Sequence, residues 1–146
     1  MYQFLEACVA EYMTQPAVTV AADTPLHELE RQFAAHDFNG FPIVEAGALA
    51  GMVTKFDILK VFVFTPRTVV PQYDALARLT AAQIMTRNVI TFSPEVPLTR
   101  VLQTLVDFRV KSFPVVDGRR LVGVIAREDV VRALHDASSV GAPPIR

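Results

Sequence analysis

Two short segments combine a carboxylate with side chains that could help hold a polar ligand. The first reads Gly51-Met52-Val53-Thr54-Lys55-Phe56-Asp57. The pattern after it predicts a helix from about Lys55, with Thr54 as the N-cap residue and Asp57 in the first turn. A carboxylate there is favoured by the helix dipole and can accept hydrogen bonds from two neighbouring hydroxyl groups. The free N–H groups of the same turn suit a phosphate, and the lysine adds a positive charge.

The second segment lies 72 residues later and reads Gly123-Val124-Ile125-Ala126-Arg127-Glu128-Asp129. It keeps the glycine and the aspartate, but Ala126 replaces the threonine, which removes a hydroxyl group and a helix cap. Glu128 adds a negative charge beside Asp129, and Arg127 partly offsets that charge. We therefore expect the first segment to bind a ligand and the second to bind it more weakly or not at all.

Both segments belong to a sequence that is written twice with the same offset. Met13-Thr14 recurs as Met85-Thr86, and Phe41-Pro42 recurs as Phe113-Pro114. Two copies are too few for a solenoid, which needs at least three stacked units. The duplication instead predicts a pseudo-symmetric pair of small units with two related clefts.

Each copy has the pattern strand, helix, hairpin, helix. Alternating or continuous apolar runs indicate the strands, and apolar residues three and four apart indicate the helices. Asp23-Thr24 predicts a cap for the first copy's first helix, with Pro25 at its first helical position. The predicted ranges are helix 2–12, strand 18–20, a helix from 25, hairpin strands 41–44 and 49–53, helix 55–62, strand 89–92, a helix after 96, hairpin strands 113–116 and 121–125, and helix 127–136.

The composition favours a globular protein outside the membrane. Of the 146 residues, 51% are hydrophobic and 20% are charged, which excludes a disordered chain. The formal net charge of −1 gives no general attraction to nucleic acid or to an anionic membrane. The longest apolar stretch is far shorter than the ~20 residues of a membrane helix. The chain start lacks the basic region of a secretory signal, and a single cysteine fits a reducing compartment, so we expect a cytoplasmic protein.

The repeated motifs, in their order, spacing and duplication, resemble those of a stand-alone tandem pair of cystathionine β-synthase (CBS) domains, which is called a Bateman module. These motifs are the Met-Thr dipeptides, the two apolar strands whose second residue is proline, and the Gly-x-x-Thr-x-x-Asp segment. The resemblance covers about residues 8–135. The resemblance implies an α+β (α/β) fold. Two pseudo-twofold-related β-α-β-β-α units would pack sheet to sheet, with an extra N-terminal helix. The implied boundaries are 8–63 for the first domain, 64–80 for a linker, 81–137 for the second domain and 138–146 for a flexible tail.

The resemblance also implies that the cleft between the repeats takes an adenosine-containing ligand such as AMP, ADP, ATP or S-adenosylmethionine. In the family, the Asp holds the ribose hydroxyls, the Thr contacts ribose or phosphate, and the partner copy encloses the adenine. The implied first site comprises Thr54, Lys55, Asp57, Asn88, Val89, Ile90, Lys111, Ser112, Phe113 and Pro114. The implied weaker site comprises Asp129, Arg127, Pro16, Ala17, Val18, Gly40, Phe41 and Pro42. Whether Mg²⁺ accompanies the ligand is left open.

Several of these residues also have a purely structural interpretation. Asp57 and Asp129 can simply stabilise helix ends, although the complete motif around the first favours a binding role. Gly51 and Gly123 can be required only for close strand packing. The three histidines lack the spacing of metal ligands, and the single Cys8 has no partner base.

A non-catalytic regulatory or sensor module is the function we expect. No nucleophile–base pair, metal-ligand cluster or Gly-x-x-x-x-Gly-Lys loop is present, so we do not expect an enzyme. The alternative is a structural module for dimerisation or partner docking, with vestigial nucleotide sites. The expected partners are the adenosine-containing molecule, a second copy of the chain and an unknown regulated protein. We expect the regulated protein to be a separate chain, or this chain itself as a dimer, because 146 residues leave no length for a catalytic domain beside the pair.

Overall fold

The computed structural model describes residues 2–63 and 73–139. Most of the predicted linker, at 64–72, and of the predicted tail, at 140–146, therefore lies outside the described residues. The helices are α1 (Tyr2–Glu6), α2 (Val9–Tyr12), α3 (Leu26–Ala35), α4 (Lys55–Val61), α5 (Tyr73–Ala77), α6 (Ala81–Ile84), α7 (Leu98–Phe108) and α8 (Arg127–Ser139). The strands are β1 (Val20–Ala21), β2 (Gly40–Glu45), β3 (Ala48–Thr54), β4 (Ser112–Asp117) and β5 (Arg120–Ala126).

The described chain divides into two compact units that do not coincide with the two sequence repeats. Unit 1 comprises Met1–Ala17 and Ile90–Arg146, and unit 2 comprises Val18–Val89. The Met-Thr dipeptide that opens each repeat therefore belongs to the unit that holds the hairpin of the other repeat. This exchange is not visible in the linear pattern, because the pattern reports only which residues share a local element.

Unit 2 contains a three-stranded sheet in the order β1-β2-β3. Strand β1 runs parallel to β2, and β2 pairs antiparallel with β3, which confirms the first predicted hairpin. Helix α3 covers this sheet with Leu26 and Leu29, both fully buried. Its core also contains Val20, Phe41, Ile43, Val53, Ala81 and Met85.

Unit 1 contains the second hairpin, in which β4 and β5 pair antiparallel as predicted. Helices α7 and α8 bury apolar faces here, and α1 and α2 add residues from the start of the chain to the same core. The buried residues are Phe4, Ala7, Val9, Phe92, Leu98, Val101, Phe113, Val115, Ile125, Val130, Ala133 and Ala137.

The predicted first strands of the two copies are shorter than expected. In the first copy, β1 covers only Val20–Ala21 rather than 18–20. In the second copy, the run 89–92 forms no strand, and only Phe92 makes an isolated parallel bridge with Val115. Prolines and turns flank both runs, so few backbone groups remain in the extended register that a ladder needs.

Three predicted helix boundaries were wrong. The helix predicted over 2–12 is interrupted after Glu6, because Cys8 forms a bridge with Pro97 and its neighbour Val9 donates a hydrogen bond to Val96 at 2.9 Å. Pro25 is the N-cap of α3 rather than its first helical residue, and no side chain caps that helix. Helix α8 continues to Ser139, beyond the predicted end at about 136.

Each Met-Thr dipeptide lies directly against a glycine of the hairpin in its unit. In unit 2, Thr86 exchanges two backbone hydrogen bonds with Met52, at 2.8 and 2.9 Å. A Cβ on Gly51 would lie 2.5 Å from the Thr86 carbonyl oxygen. In unit 1, a Cβ on Gly123 would lie 2.7 Å from the Thr14 carbonyl oxygen. Both glycines are therefore required for close backbone approach.

We predict that Gly51→Ala and Gly123→Ala each lower the free energy of unfolding by about 1–3 kcal/mol, because the added methyl group meets rigid backbone. Urea denaturation followed by circular dichroism measures this effect. Glu45→Ala is the control, because this side chain is exposed in the paired strand and its loss should change stability by no more than about 0.5 kcal/mol. Unchanged stability in both glycine variants would show that the contact is not tight.

Candidate functional site

The first predicted segment forms the N-terminus of α4, and its cap is confirmed. Thr54 is the N-cap residue, and its Oγ1 accepts a hydrogen bond from the Asp57 N–H at 3.2 Å. In return, Oδ2 of Asp57 accepts hydrogen bonds from the Thr54 N–H at 2.8 Å and from the Thr54 hydroxyl at 3.0 Å. This reciprocal arrangement is a capping box in which aspartate replaces the usual glutamate. One carboxylate oxygen therefore has a structural role.

The other oxygen of the same carboxylate has two different partners. Oδ1 of Asp57 accepts a hydrogen bond from the Thr86 hydroxyl at 3.1 Å and pairs with the Lys60 ammonium at 3.2 Å. Asp57 is only 2% exposed. A carboxylate has about four acceptor positions, and here the chain's own donors fill all of them. An external hydroxyl group can therefore bind Asp57 only by replacing one of these donors.

The second predicted segment forms the start of α8 and differs in its donors. Oδ2 of Asp129 accepts a hydrogen bond from the Ala126 N–H at 2.8 Å, and Oδ1 accepts one from Arg132 at 3.2 Å. Ala126 offers no hydroxyl group. The same Arg132 donates from its other terminal nitrogen to the Tyr12 carbonyl oxygen at 3.0 Å and lies 5.5 Å from the Tyr12 ring centroid. A single guanidinium thus joins α8 to α2.

Burial and hydrogen bonding shift the pKa values of Asp129 and Tyr12 in unit 1. Desolvation raises the pKa of Asp129 above its ordinary value, while the Ala126 N–H and Arg132 oppose that rise. The hydrogen bond to the Asp136 carboxylate, at 2.9 Å, raises the pKa of Tyr12. The Ala126 N–H makes the largest opposing contribution to the pKa of Asp129, and Arg132 adds both its positive charge and a hydrogen bond.

Three residues at these sites were not predicted from the sequence. Lys60 and Arg132 each follow an aspartate by three positions, which is the spacing of an ion pair on one helix face. They also occupy equivalent positions in the repeat, so this signal was present in the sequence. Thr86 belongs to a repeated dipeptide, but only the three-dimensional pairing with Met52 places its hydroxyl beside Asp57.

The remaining predicted site residues are distributed over both units and differ in burial. Thr54, Lys55, Asp57, Asn88, Val89, Val18, Gly40, Phe41 and Pro42 belong to unit 2. Ile90, Lys111, Ser112, Phe113, Pro114, Asp129, Arg127, Pro16 and Ala17 belong to unit 1. The exposed members are Lys55, Asn88, Val18, Ile90, Lys111, Arg127 and Pro16. The side chains of Phe41 and Phe113 are core residues, so only their backbone groups remain available for a ligand.

Two structural tests bear on other classes of function. Among residues 2–63 and 73–139, no group of three or more His, Cys, Asp or Glu side chains is arranged to hold a metal ion. Within the same ranges, no helix is long and apolar enough to span a bilayer.

Comparison with known protein families identifies the family to which this fold belongs. A model of the CBS domain matches residues 9–63 and 81–136, well over half of the chain. The chain belongs to the CBS domain family. The match to two copies confirms the tandem pair that the repeated motifs resemble.

Solved structures agree with this CBS assignment. The CBS domain pair of protein MJ0100, solved in complex with 5′-methylthioadenosine and S-adenosyl-L-methionine, has a TM-score of 0.74 and 29% identity. That match covers 90% of this chain and 98% of the MJ0100 pair. CBSX2, solved in complex with AMP, has a TM-score of 0.74 at 21% identity, a likeness of fold alone. The mixed helix and strand fold with two small sheets is therefore that of a CBS pair.

Curated relatives contain the CBS pair in different settings. L-aspartate semialdehyde sulfurtransferase of Methanocaldococcus jannaschii is 31% identical over 126 residues, which are 85% of this chain and 22% of that enzyme. The CBS domain-containing protein YhcV of Bacillus subtilis is 26% identical over 134 residues, which are 92% of this chain and 90% of that protein. The chain thus spans about a fifth of the first relative and most of the second.

We predict opposite stability changes when the residue before α4 and the residue before α8 are each replaced by their counterpart in the other repeat. Thr54→Ala should destabilise the CBS pair by about 1–2 kcal/mol, because α4 loses its cap and a buried carboxylate loses a donor. Ala126→Thr should stabilise it by about 0.5–1 kcal/mol, because α8 gains the missing cap. Urea denaturation measures both changes. A neutral or destabilising Ala126→Thr would contradict the capping argument for unit 1.

Proposed function

We propose that this CBS pair is a cytoplasmic, non-catalytic regulatory module that binds an adenosine-containing ligand, with Asp57 as the ribose-binding carboxylate. The observation that supports the proposal most directly is that the two carboxylate oxygens of Asp57 have different partners. Oδ2 caps α4, whereas Oδ1 contacts an exposed ammonium and a hydroxyl group. The ligands of the MJ0100 pair support the ligand class, because both contain adenosine.

Exchange of donors at Oδ1 is physically reasonable for a ribose. The two hydroxyl groups of a ribose diol can replace the Thr86 hydroxyl and the Lys60 ammonium without leaving the buried carboxylate short of donors. The Lys60 side chain is 54% exposed, so its ammonium can return to water when it leaves. Thr86 is also exposed, so its hydroxyl can be hydrated after displacement.

The proposed ligand class shares adenosine and differs at the 5′ position. AMP, ADP and ATP carry phosphates, for which the exposed Lys55 and Lys111 are proposed contacts, and Mg²⁺ would accompany the longer phosphate chains. S-adenosylmethionine carries an amino acid group instead. Any of these ligands regulates the protein only through a difference in its affinity for two states of the module.

We predict that Asp57→Asn weakens binding of the ligand by about 10- to 100-fold, because an amide nitrogen cannot accept a hydrogen bond from a hydroxyl group. Isothermal titration calorimetry with AMP, ADP, ATP and S-adenosylmethionine measures this change. We expect about one equivalent per wild-type chain for at least one ligand. Asparagine keeps one carbonyl oxygen for the α4 cap, so the fold is preserved better than with alanine.

The matched control for this titration is Asp117→Asn, which changes an exposed carboxylate at the end of β4 in the other unit. Its affinity should equal that of the wild type. Equal affinity of Asp57→Asn and wild type would rule out Asp57 as the ribose contact. If no adenosine ligand binds the wild type at millimolar concentration, the sites are vestigial and the assembly function below becomes the main one.

A second candidate function, assembly, is supported by the outer face of α4. Phe56 and Leu59 lie three positions apart on α4, and Val63 follows shortly after the helix ends; these residues are 67%, 65% and 65% exposed. Apolar side chains clustered on one exposed face are typical of an interaction surface. We infer that this α4 face joins two copies of the chain in a homodimer, or docks the regulated protein where no dimer forms.

We predict that the double substitution Phe56→Ser and Leu59→Ser converts the dimer into a monomer, because it removes most of the exposed apolar area of α4. Sedimentation velocity at micromolar concentration measures the oligomeric state. Val106→Ser is the control, because it removes an equally exposed apolar side chain from α7. A wild-type protein that is monomeric at all concentrations would eliminate self-assembly through the α4 face.

A further inference from the structure

The two aspartates are each paired with a basic residue of their own helix, but the two pairs are held differently. In unit 2, Lys60 contacts Oδ1 of Asp57 at 3.2 Å and lies 5.5 Å from the exposed Phe56 ring. Both contacts lie within α4. In unit 1, Arg132 contacts Asp129 at 3.2 Å and also reaches outside its helix to Tyr12.

The contacts with Tyr12 hold the Arg132 guanidinium from two sides. One terminal nitrogen donates to the aspartate, and the other donates to the Tyr12 carbonyl oxygen at 3.0 Å. The Tyr12 ring lies 5.5 Å from the guanidinium carbon, and its hydroxyl group is fixed by Asp136 at 2.9 Å. Arginine can make these contacts together because its planar fork presents several N–H groups in fixed directions. A ligand that displaces Arg132 must therefore break more than an ion pair.

If only the number of hydrogen-bond donors mattered, Asp129 would be more available to a ligand than Asp57. Asp57 has four donors from the described chain, whereas Asp129 has two. Asp129 therefore has spare acceptor capacity, and the missing hydroxyl at Ala126 adds to that capacity. Both carboxylates are buried, so the doubly held Arg132 is what reverses this order, because the basic side chain that covers Asp129 does not leave easily.

We propose that Arg132 is a specificity-determining residue that closes the Asp129 carboxylate to nucleoside hydroxyl groups and so restricts ligand binding to Asp57. This inference rests on the proposed function, in which these carboxylates receive a ribose. It assigns the difference between the two aspartates to the cation at position 132 rather than to the loss of threonine at position 126.

The test uses the full chain carrying Asp57→Asn, so that only the Asp129 carboxylate can bind a ribose. AMP and 5′-methylthioadenosine are titrated by calorimetry into this background with Arg132→Gln, Arg132→Lys or Ala126→Thr added. We expect Arg132→Gln to gain at least 10-fold in affinity. Arg132→Lys should gain less, because lysine keeps the charge but loses the fork, and Ala126→Thr should gain nothing. Arg119→Gln, an exposed arginine in the β4–β5 turn, is the matched control.

A ligand-free measurement checks that the fold and the contact behave as described. Carbon-13 NMR of the aspartate carboxyl groups should show a further rise in the pKa of Asp129 in Arg132→Gln, because Arg132 opposes the effect of burial. If the pKa rises and no binding appears, Arg132 covers the carboxylate without determining specificity, and the inference is wrong. An unchanged pKa would also reject it, because the contact would then be absent in solution.

The outcomes for this inference and for the proposed function are separable. One equivalent of ligand bound to the wild type, with no binding when Arg132→Gln is added to Asp57→Asn, rejects this inference alone. No binding by the wild type, together with binding in Arg132→Gln, rejects Asp57 as the site and supports Arg132 as the closing residue. No binding in any variant rejects both.

Discussion

A backbone contact at one glycine of each hairpin determines what surrounds each aspartate. Because Gly51 has no Cβ, Thr86 pairs with Met52, and its hydroxyl group reaches Asp57. Gly123 also lacks a Cβ, so Thr14 pairs with Val124 in the same way. The chain just before Thr14 then places Tyr12 beside α8. The same contact therefore supplies a hydroxyl donor to one carboxylate and an anchor for Arg132 beside the other.

Burial of a carboxylate restricts what can bind to it. An ionised group that is 2% exposed must keep its hydrogen-bond donors, since an unsatisfied buried charge is costly. A molecule that takes the place of Thr86 and Lys60 must therefore bring at least two donors to one oxygen. A vicinal diol meets this requirement, whereas a deoxyribose lacks one of the two hydroxyl groups. Selectivity of this kind comes from the buried group left unpaired by the wrong ligand.

Local patterns predicted the parts of this protein that depend on neighbours in sequence. Both hairpins, the cap at Thr54 and the position of Asp57 in a first turn follow from short-range spacing and turn chemistry. The exchange of the Met-Thr dipeptides between repeats does not, because it depends on packing between residues 34 positions apart in unit 2 (Met52 and Thr86) and 110 positions apart in unit 1 (Thr14 and Val124). The break near Cys8 has the same origin, since the competing partner is Pro97.

The difference between the repeats at equivalent positions 60 and 132 has consequences for regulation. A lysine that is bound only within its own helix can leave with little disturbance of the surrounding structure. An arginine that joins α8 to α2 cannot leave without loosening the contact between two helices of unit 1. Under the proposed function, a ligand-dependent change is therefore expected at the start of α4 rather than at the start of α8.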